Sequence, residues 1–480
     1  MLRKVAEGIS VPLRKAGGRC PPIVYVLDCG GTISMTSTEN GIVSHPDALD
    51  FERLIYENGH RLYRHNKLTR DLVEVKTIPK FIDRDSSYAK PFEWTRIAKE
   101  VTRLRRVERA DGIVITHGTD TASELCAALS YLLKEQDIPV TITGAQKSAR
   151  KSDGSIDYSS DAFRNIQDAT YVAAYYGHNN NFYPTLTFNR HILFPENVIK
   201  TNVWSEDAYH NIGNHDLGSP DLSESGGVYV DGANLQLGSP QTSKELNFFK
   251  YRKWDDEPCN MHIDETPLDT KVTICPTKPG MSTESFSSML ESNDGAVIEG
   301  MGAGHAPSEI LPIIKEHSID GIPIAVCARP KGLVDIANGY GPGMDLLKAG
   351  VSERGGTKTS TVMHGGQYRA DFAYIKLMYL TSHAKDISSV AISNGVAPEN
   401  LLHSLFITGT RYRSPLSLRK YMDVTGVEPA LNFYTVESGG VFYLTNDSLA
   451  GGDFSRVADE TAKGLREGST SKSLKSLFDI

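Results

Sequence analysis

No stretch of this sequence approaches the ~18 consecutive apolar residues that a membrane-spanning helix needs, so no span is expected. Excess positive charge is missing as well. Lys and Arg number 51 against 59 Asp and Glu, a formal net charge of -8, which lacks the basic footprint of a nucleic-acid binder. Six cysteines are scattered with no C-x-x-C pair, which argues against a zinc site and a disulfide scaffold and fits reduced cytoplasmic thiols. No metal and no cofactor is expected from these patterns. A secretory apolar segment is absent. Met1–Arg19 carries Arg3, Lys4, Arg14, Lys15 and Arg19 against Glu7 alone. It reads as an ordinary solvated lead-in, or else as an organelle-targeting segment. Internal repeats and extended low-complexity tracts are absent too.

What is present is a globular composition, 39% hydrophobic and 23% charged, over 480 residues. That length exceeds one ordinary core and implies two or three domains. Residues 1–21 form the lead-in. Over 22–236, β-like runs alternate with helical ones: Ile23–Leu27, Leu72–Ile78, Phe92–Leu104, Gly112–Thr116, Thr121–Glu135, Val140–Thr143 and Asp161–Ala174. Such alternation predicts an α/β fold with a mostly parallel sheet. The polar, aperiodic stretch 237–269 reads as a linker. A second, smaller α/β domain is expected over 270–382, with Thr357–Arg369 as a loop insertion. Residues 383–480 read as a C-terminal extension.

Four expected strand ends carry polar turns. After Ile23–Leu27 comes Asp28-Cys29-Gly30-Gly31-Thr32-Ile33-Ser34, where two glycines turn the backbone directly after a thiol. The Gly112–Thr116 strand ends in His117-Gly118-Thr119-Asp120-Thr121, where a helix begins. Its free N–H groups suit a carboxylate or an oxyanion, although Thr and Asp also favour such positions as plain N-caps. Asp85-Ser86-Ser87 offers hydroxyls for a carboxylate, or a helix cap. Thr143-Gly144-Ala145-Gln146-Lys147 is a fourth small-residue turn. Open α/β sheets bind ligands where such ends converge.

These motifs resemble the bacterial-type asparaginase/glutaminase family, which includes the amidase subunit of an archaeal tRNA-dependent amidotransferase. Cys29-Gly-Gly-Thr-Ile resembles its Thr-Gly-Gly-Thr-Ile signature, and His117-Gly-Thr-Asp-Thr121 matches its second signature fully. Asp85-Ser-Ser, Thr143-Gly-Ala-Gln with Ser159-Ser-Asp161, and Glu299-Gly-Met-Gly-Ala-Gly-His-Ala-Pro307 resemble further blocks, covering about residues 22–382 in order.

The resemblance implies a nucleophile at position 29 that attacks a side-chain amide, with Cys29 replacing the family's threonine. Thr119 and Asp120 would assist it, with a lysine on the following helix. Counting from Ser159-Ser-Asp161, that lysine's position falls on Tyr176, which leaves Lys147 as the substitute. Gly30 and Thr119 would supply oxyanion N–H groups. Asp120 would hold a substrate ammonium and Ser86 its carboxylate. Asp85, Ser87, Gly118, Ala145 and His305 complete the substrate-binding set. A thiol at position 29 implies thioester chemistry, either amide hydrolysis or acyl transfer, on a small Asn/Gln-like amino acid. The alternatives are a catalytically silent ligand-binding homologue and an ordinary asparaginase using Thr119. The family forms homodimers and homotetramers, so a cytoplasmic homo-oligomer with neither nucleic-acid nor membrane partners is expected.

Overall fold

The computed structural model describes residues 21–39, 41–56, 73–174, 184–193, 195, 198–211, 228–231, 234–237, 259, 261–319, 322–330, 334, 340–351, 362–365, 368–393, 398–407, 436–437 and 440–441. The lead-in 1–20, most of 237–260 and the stretches 408–435 and 442–480 lie outside these residues.

The N-terminal sheet is built on Ile23–Asp28, which pairs in parallel with Glu74–Ile78 on one side and Gly112–Thr116 on the other. Val140–Thr143 and Pro184–Phe188 extend it in parallel. His191–Leu193, Asn234–Leu237 and Val228–Asp231 then finish it antiparallel, as one eight-stranded sheet. Helices cover both faces, so successive residues of the first strand enter different cores. Val24 and Val26 pack with Phe163 and Ile166 of the Ala162–Ala174 helix. Tyr25, Leu27 and Cys29 point the other way, among Trp94, Ile97 and Val101 of the Pro91–Arg106 helix.

Register fixes where the loops emerge. Asp28 lies opposite Thr116, and Thr116 opposite Thr143. The turns that start at residues 29, 117 and 144 therefore leave the sheet side by side at its carboxyl edge.

The second domain is a smaller four-stranded parallel sheet: Val272–Pro276, Gly295–Gly300, Ile324–Ala328 and Val362–His364. Its last strand corrects the insertion reading of Thr357–Arg369. Within that stretch Val362 is fully buried and pairs with Ile324, closing the sheet edge. The expected break at 383 also shifts. Helices Ala384–Ser393 and Pro398–Ile407 continue the domain, and Leu405 and Phe406 are buried in the same core as Phe372 and Leu377 of the Ala370–Ser382 helix.

One apolar core spans both domains. The Ala122–Leu132 helix packs on Ala370–Ser382, with Tyr131 stacked on Tyr379 at 5.1 Å between ring centroids. This contact explains why the helix predicted to run to Glu135 stops early. Leu133 and Lys134 turn extended and pair antiparallel with Ile263 and His262. Part of the expected linker is therefore packed structure. Asp264 accepts from the Tyr379 hydroxyl at 2.9 Å and pairs with His383 at 3.1 Å, while the Lys134 ammonium donates to the same hydroxyl at 2.8 Å.

Candidate active site

At the end of the first strand a buried carboxylate organises the turn. Asp28 Oδ1 accepts from the Gly30 N–H (3.1 Å), the Ser34 hydroxyl (2.7 Å) and the Thr116 hydroxyl (3.1 Å). Its Oδ2 accepts from the Lys80 N–H at 3.2 Å. Gly31 has a φ of 82°, and a Cβ there would collide with the Gly118 backbone. Only glycine lets these two loops touch. Immediately after it, half-buried Thr32 opens a short helical turn, Thr32–Ser34.

The Cys29 side chain borders a small cavity shared with Ser86 and His117, but it is almost wholly enclosed. Its side chain is 2% exposed and continues the Tyr25–Leu27 row into the core. Burial first, then the adjacent Asp28 charge, push the thiol well above its ordinary value of 9.0. The thiolate is the nucleophilic form, so the setting weighs against Cys29 as the attacking atom. Gly30 also departs from its expected role, because its N–H is donated to Asp28 rather than held for an oxyanion.

On the neighbouring loop Thr119 is 7% exposed. The Lys200 ammonium donates to the Thr119 hydroxyl at 2.7 Å and to Asp120 Oδ1 at 2.8 Å. Lys200 ends the short strand Val198–Lys200, which pairs with Tyr209–Asn211 in a two-stranded hairpin. The Tyr209 hydroxyl donates to the Thr119 carbonyl from the same hairpin. Lys200 was not among the residues expected from the sequence. The Lys147 ammonium is engaged by Glu206 at 2.7 Å, and Tyr176 lies outside the described residues.

Asp85, Ser86 and His117 line one small cavity with Cys29, Arg84 and Glu93. Ser86 is buried against Gly118, and its carbonyl accepts from the Thr121 hydroxyl at 3.0 Å. Asp85 caps Ser87, accepting from its N–H at 2.9 Å and its hydroxyl at 2.6 Å, and Ser87 itself is exposed. Burial lowers the His117 pKa below 6.5, favouring the neutral ring, whose Nδ1 lies 2.9 Å from the Gly118 carbonyl. Ala145 is buried beside this edge. His305 sits elsewhere, on the second domain's loop after Gly295–Gly300, with its ring 5.2 Å from that of Tyr340. It is not part of the cavity lining.

Residues 23–229 match the family model "Asparaginase, N-terminal" and residues 271–391 match "Glutaminase/Asparaginase C-terminal domain". The chain belongs to the asparaginase family. A subunit of the glutamyl-tRNA(Gln) amidotransferase from Thermoplasma acidophilum is 29% identical over 365 residues, covering 74% of this chain and 75% of the relative. An L-asparaginase from Thermococcus kodakarensis is 26% identical over 375 residues, covering 76% and 95%. Among solved structures, "The thermostable L-asparaginase from Thermococcus kodakarensis" superposes with a TM-score of 0.56 at 23% identity, covering 81% of this chain and 98% of that one. That likeness supports the asparaginase fold.

Two positions of the asparaginase-family motifs differ from the family's pattern in this chain. The Thr-Gly-Gly-Thr-Ile signature has two threonine positions, and this chain changes the first to Cys29 while keeping the second as Thr32. The resemblance puts the family's lysine just after the Ala162–Ala174 helix, whereas Lys200 lies on a strand farther along the chain. Its only local mark is Ile199-Lys200-Thr201, where a charged residue ends a short β-run.

In the first turn of Ala122–Leu132 lies Glu124, which accepts from the Ser123 hydroxyl at 2.8 Å. Burial, with repulsion from Asp371 and Asp120, pushes its carboxyl from 4.5 up to about 7. A raised folded-state value means the fold binds the extra proton. Stability present below pH 4.5 is therefore lost as pH rises to about 7. Glu124→Gln removes the charge and is expected to stabilise the protein at pH 8 by roughly 1–3 kcal/mol while changing little at pH 4. Urea melts at the two pH values test this, and an equal effect at both would refute it.

Proposed function

We propose that this chain hydrolyses the side-chain amide of a small Asn/Gln-like amino acid, with the Thr32 hydroxyl as the attacking group. The Lys200–Thr119–Asp120 constellation is the observation that carries the reading. A lysine bound to a hydroxyl and a carboxylate is a proton-handling arrangement, and Gly31, the residue before half-buried Thr32, approaches the Gly118 backbone of the same loop. The Thr32 oxygen bonds to the amide carbon. The C–N bond breaks, and the nitrogen leaves as ammonia carrying the proton that Thr32 gave up. Thr119 and Lys200 pass that proton between the two atoms. Water then cleaves the Thr32 ester, releasing the free acid and restoring the hydroxyl.

The Thr119 N–H, at the loop entering a helix, suits the oxyanion. The Asp120 side chain, 57% exposed, suits a substrate ammonium, and the buried Ser86 hydroxyl suits its carboxylate. Thioester chemistry at Cys29 is the rival route, and its strand-end position is the feature in its favour. The relatives named as amidotransferase subunits favour a second reading, in which ammonia released here serves a partner protein. A homo-oligomer in the cytoplasm suits either reading. Among the described residues no helix is long and apolar enough to cross a membrane.

The test is ammonia release from asparagine and glutamine, with rapid quenching and peptide mass spectrometry to locate the acyl adduct. An adduct on the Thr32 peptide oxygen supports the proposal. A hydroxylamine-labile adduct on Cys29 gives the thioester route, and binding without ammonia release gives the silent homologue.

A further inference from the structure

Lys200 is not on the loop it serves. It sits on a hairpin whose 201–208 connection runs over the surface, with Val203 and Trp204 65% and 89% exposed. A 2.7 Å contact from such an element to Thr119 needs a tie, and the turn after Val140–Thr143 supplies one.

We propose that Gln146 is a positioning residue that sets the Lys200–Thr119 contact. Its side-chain Nε2 donates to the Asn202 carbonyl at 3.2 Å and to the Ser205 carbonyl at 3.1 Å. Both acceptors lie on the connection directly after Lys200. Backbone carbonyls only accept, so they fix which end of the amide faces the hairpin. The Oε1 end then faces Thr119, whose hydroxyl donates to it at 3.3 Å. An ammonium has no acceptor, so the Thr119 hydrogen cannot be directed at Lys200 while Lys200 donates to that oxygen. Gln146 therefore takes the one proton that Lys200 leaves unplaced, and it ties the lysine's hairpin to the same hydroxyl.

The base of Gln146 is itself rigid. Its N–H donates to Asp161 Oδ2 at 2.9 Å, and the Asn165 amide donates to that same oxygen and to the Gly144 carbonyl at 3.1 and 3.0 Å. Asp161 and Asn165 are both buried. On the other side, Asn202 Oδ1 accepts from the Trp204 and Ser205 N–H groups at 2.8 Å each, shaping the turn that presents the two carbonyls. Side-chain tethers of this kind matter because a displacement of about 1 Å at a reacting centre can cost ~10²-fold in rate.

This inference rests on the amide-hydrolysing reading, and the experiment separates the two. Wild type, Gln146→Met and Gln146→Glu are compared for kcat and KM with the amide substrate, alongside thermal melts. Methionine keeps the length and loses both functions. Glutamate keeps an acceptor for Thr119 and loses the donors to the hairpin. The expected result is a kcat for Gln146→Met lower by about 10–10²-fold with KM within about threefold, and an intermediate kcat for Gln146→Glu. An active wild type with an unchanged kcat in Gln146→Met overturns the positioning role and leaves the reaction standing. A rise confined to KM moves Gln146 to substrate binding and also overturns it. An inactive wild type removes the reaction reading and this inference with it. If both variants fail to fold, Gln146 is structural and the proposal is lost.

Discussion

Thr32→Ala is expected to abolish ammonia release, lowering kcat by at least about 10³-fold, while Cys29→Ala stays within about tenfold of wild type. The contrast follows from the settings of the two side chains. Cys29 continues the inward row of Tyr25 and Leu27, is 2% exposed, and carries a thiol raised well above 9.0 by burial and by Asp28. Even at 9.0 a thiol is ionised to only about one part in a hundred at pH 7. Thr32 follows the Gly30–Gly31 turn, is half-buried, and comes directly after Gly31, whose backbone touches the loop carrying Thr119. Replacing Cys29 removes core packing, so its cost belongs in stability, about 1–2 kcal/mol. Steady-state kinetics together with chemical denaturation separate the two effects. If Cys29→Ala is inactive yet folded while Thr32→Ala still turns over, the assignment is reversed.

Lys200→Met should come close to the same loss, with kcat lower by roughly 10²–10⁴-fold and KM changed little. Methionine retains the aliphatic stem and removes the ammonium that donates to Thr119 and Asp120. Lys200→Arg is not expected to restore activity. A planar guanidinium cannot satisfy a hydroxyl and a carboxylate at 2.7 and 2.8 Å from a single atom as the ammonium does. Lys147→Met supplies the comparison. Its ammonium pairs with Glu206, so substitution should disturb that surface pair and leave kcat near wild type. A severe loss in Lys147→Met with an active Lys200→Met would move the role to Lys147.

The Gln146 and Lys200 variants also bear on each other. If Gln146 acts only by holding the Lys200 contact, then Gln146→Met in a Lys200→Met background costs nothing further. Non-additivity of this kind is expected for residues that work as a unit.

Much of this protein was legible in its sequence because the signals were local. Short apolar runs broken by Gly, Asn and Asp turns marked the parallel strands, since a strand covered by helices on both sides must be apolar on both faces. His117-Gly-Thr-Asp-Thr121 and Asp85-Ser-Ser announced where polar groups leave the sheet, because strand ends and helix starts demand those residue types. The register of Asp28, Thr116 and Thr143 then brings those ends to one edge.

Tertiary structure alone decided which atoms meet there. Cys29, directly after the strand Ile23–Asp28, turns into the core with Tyr25 and Leu27, a direction that one step along the chain would reverse. The Lys200–Thr119 contact comes from a hairpin that returns to the sheet edge 81 positions after Thr119, a distance no local spacing rule encodes. The strand Val362–His364 and the packed Asp264 segment were hidden for the same reason, since each becomes recognisable only through the partner it pairs with.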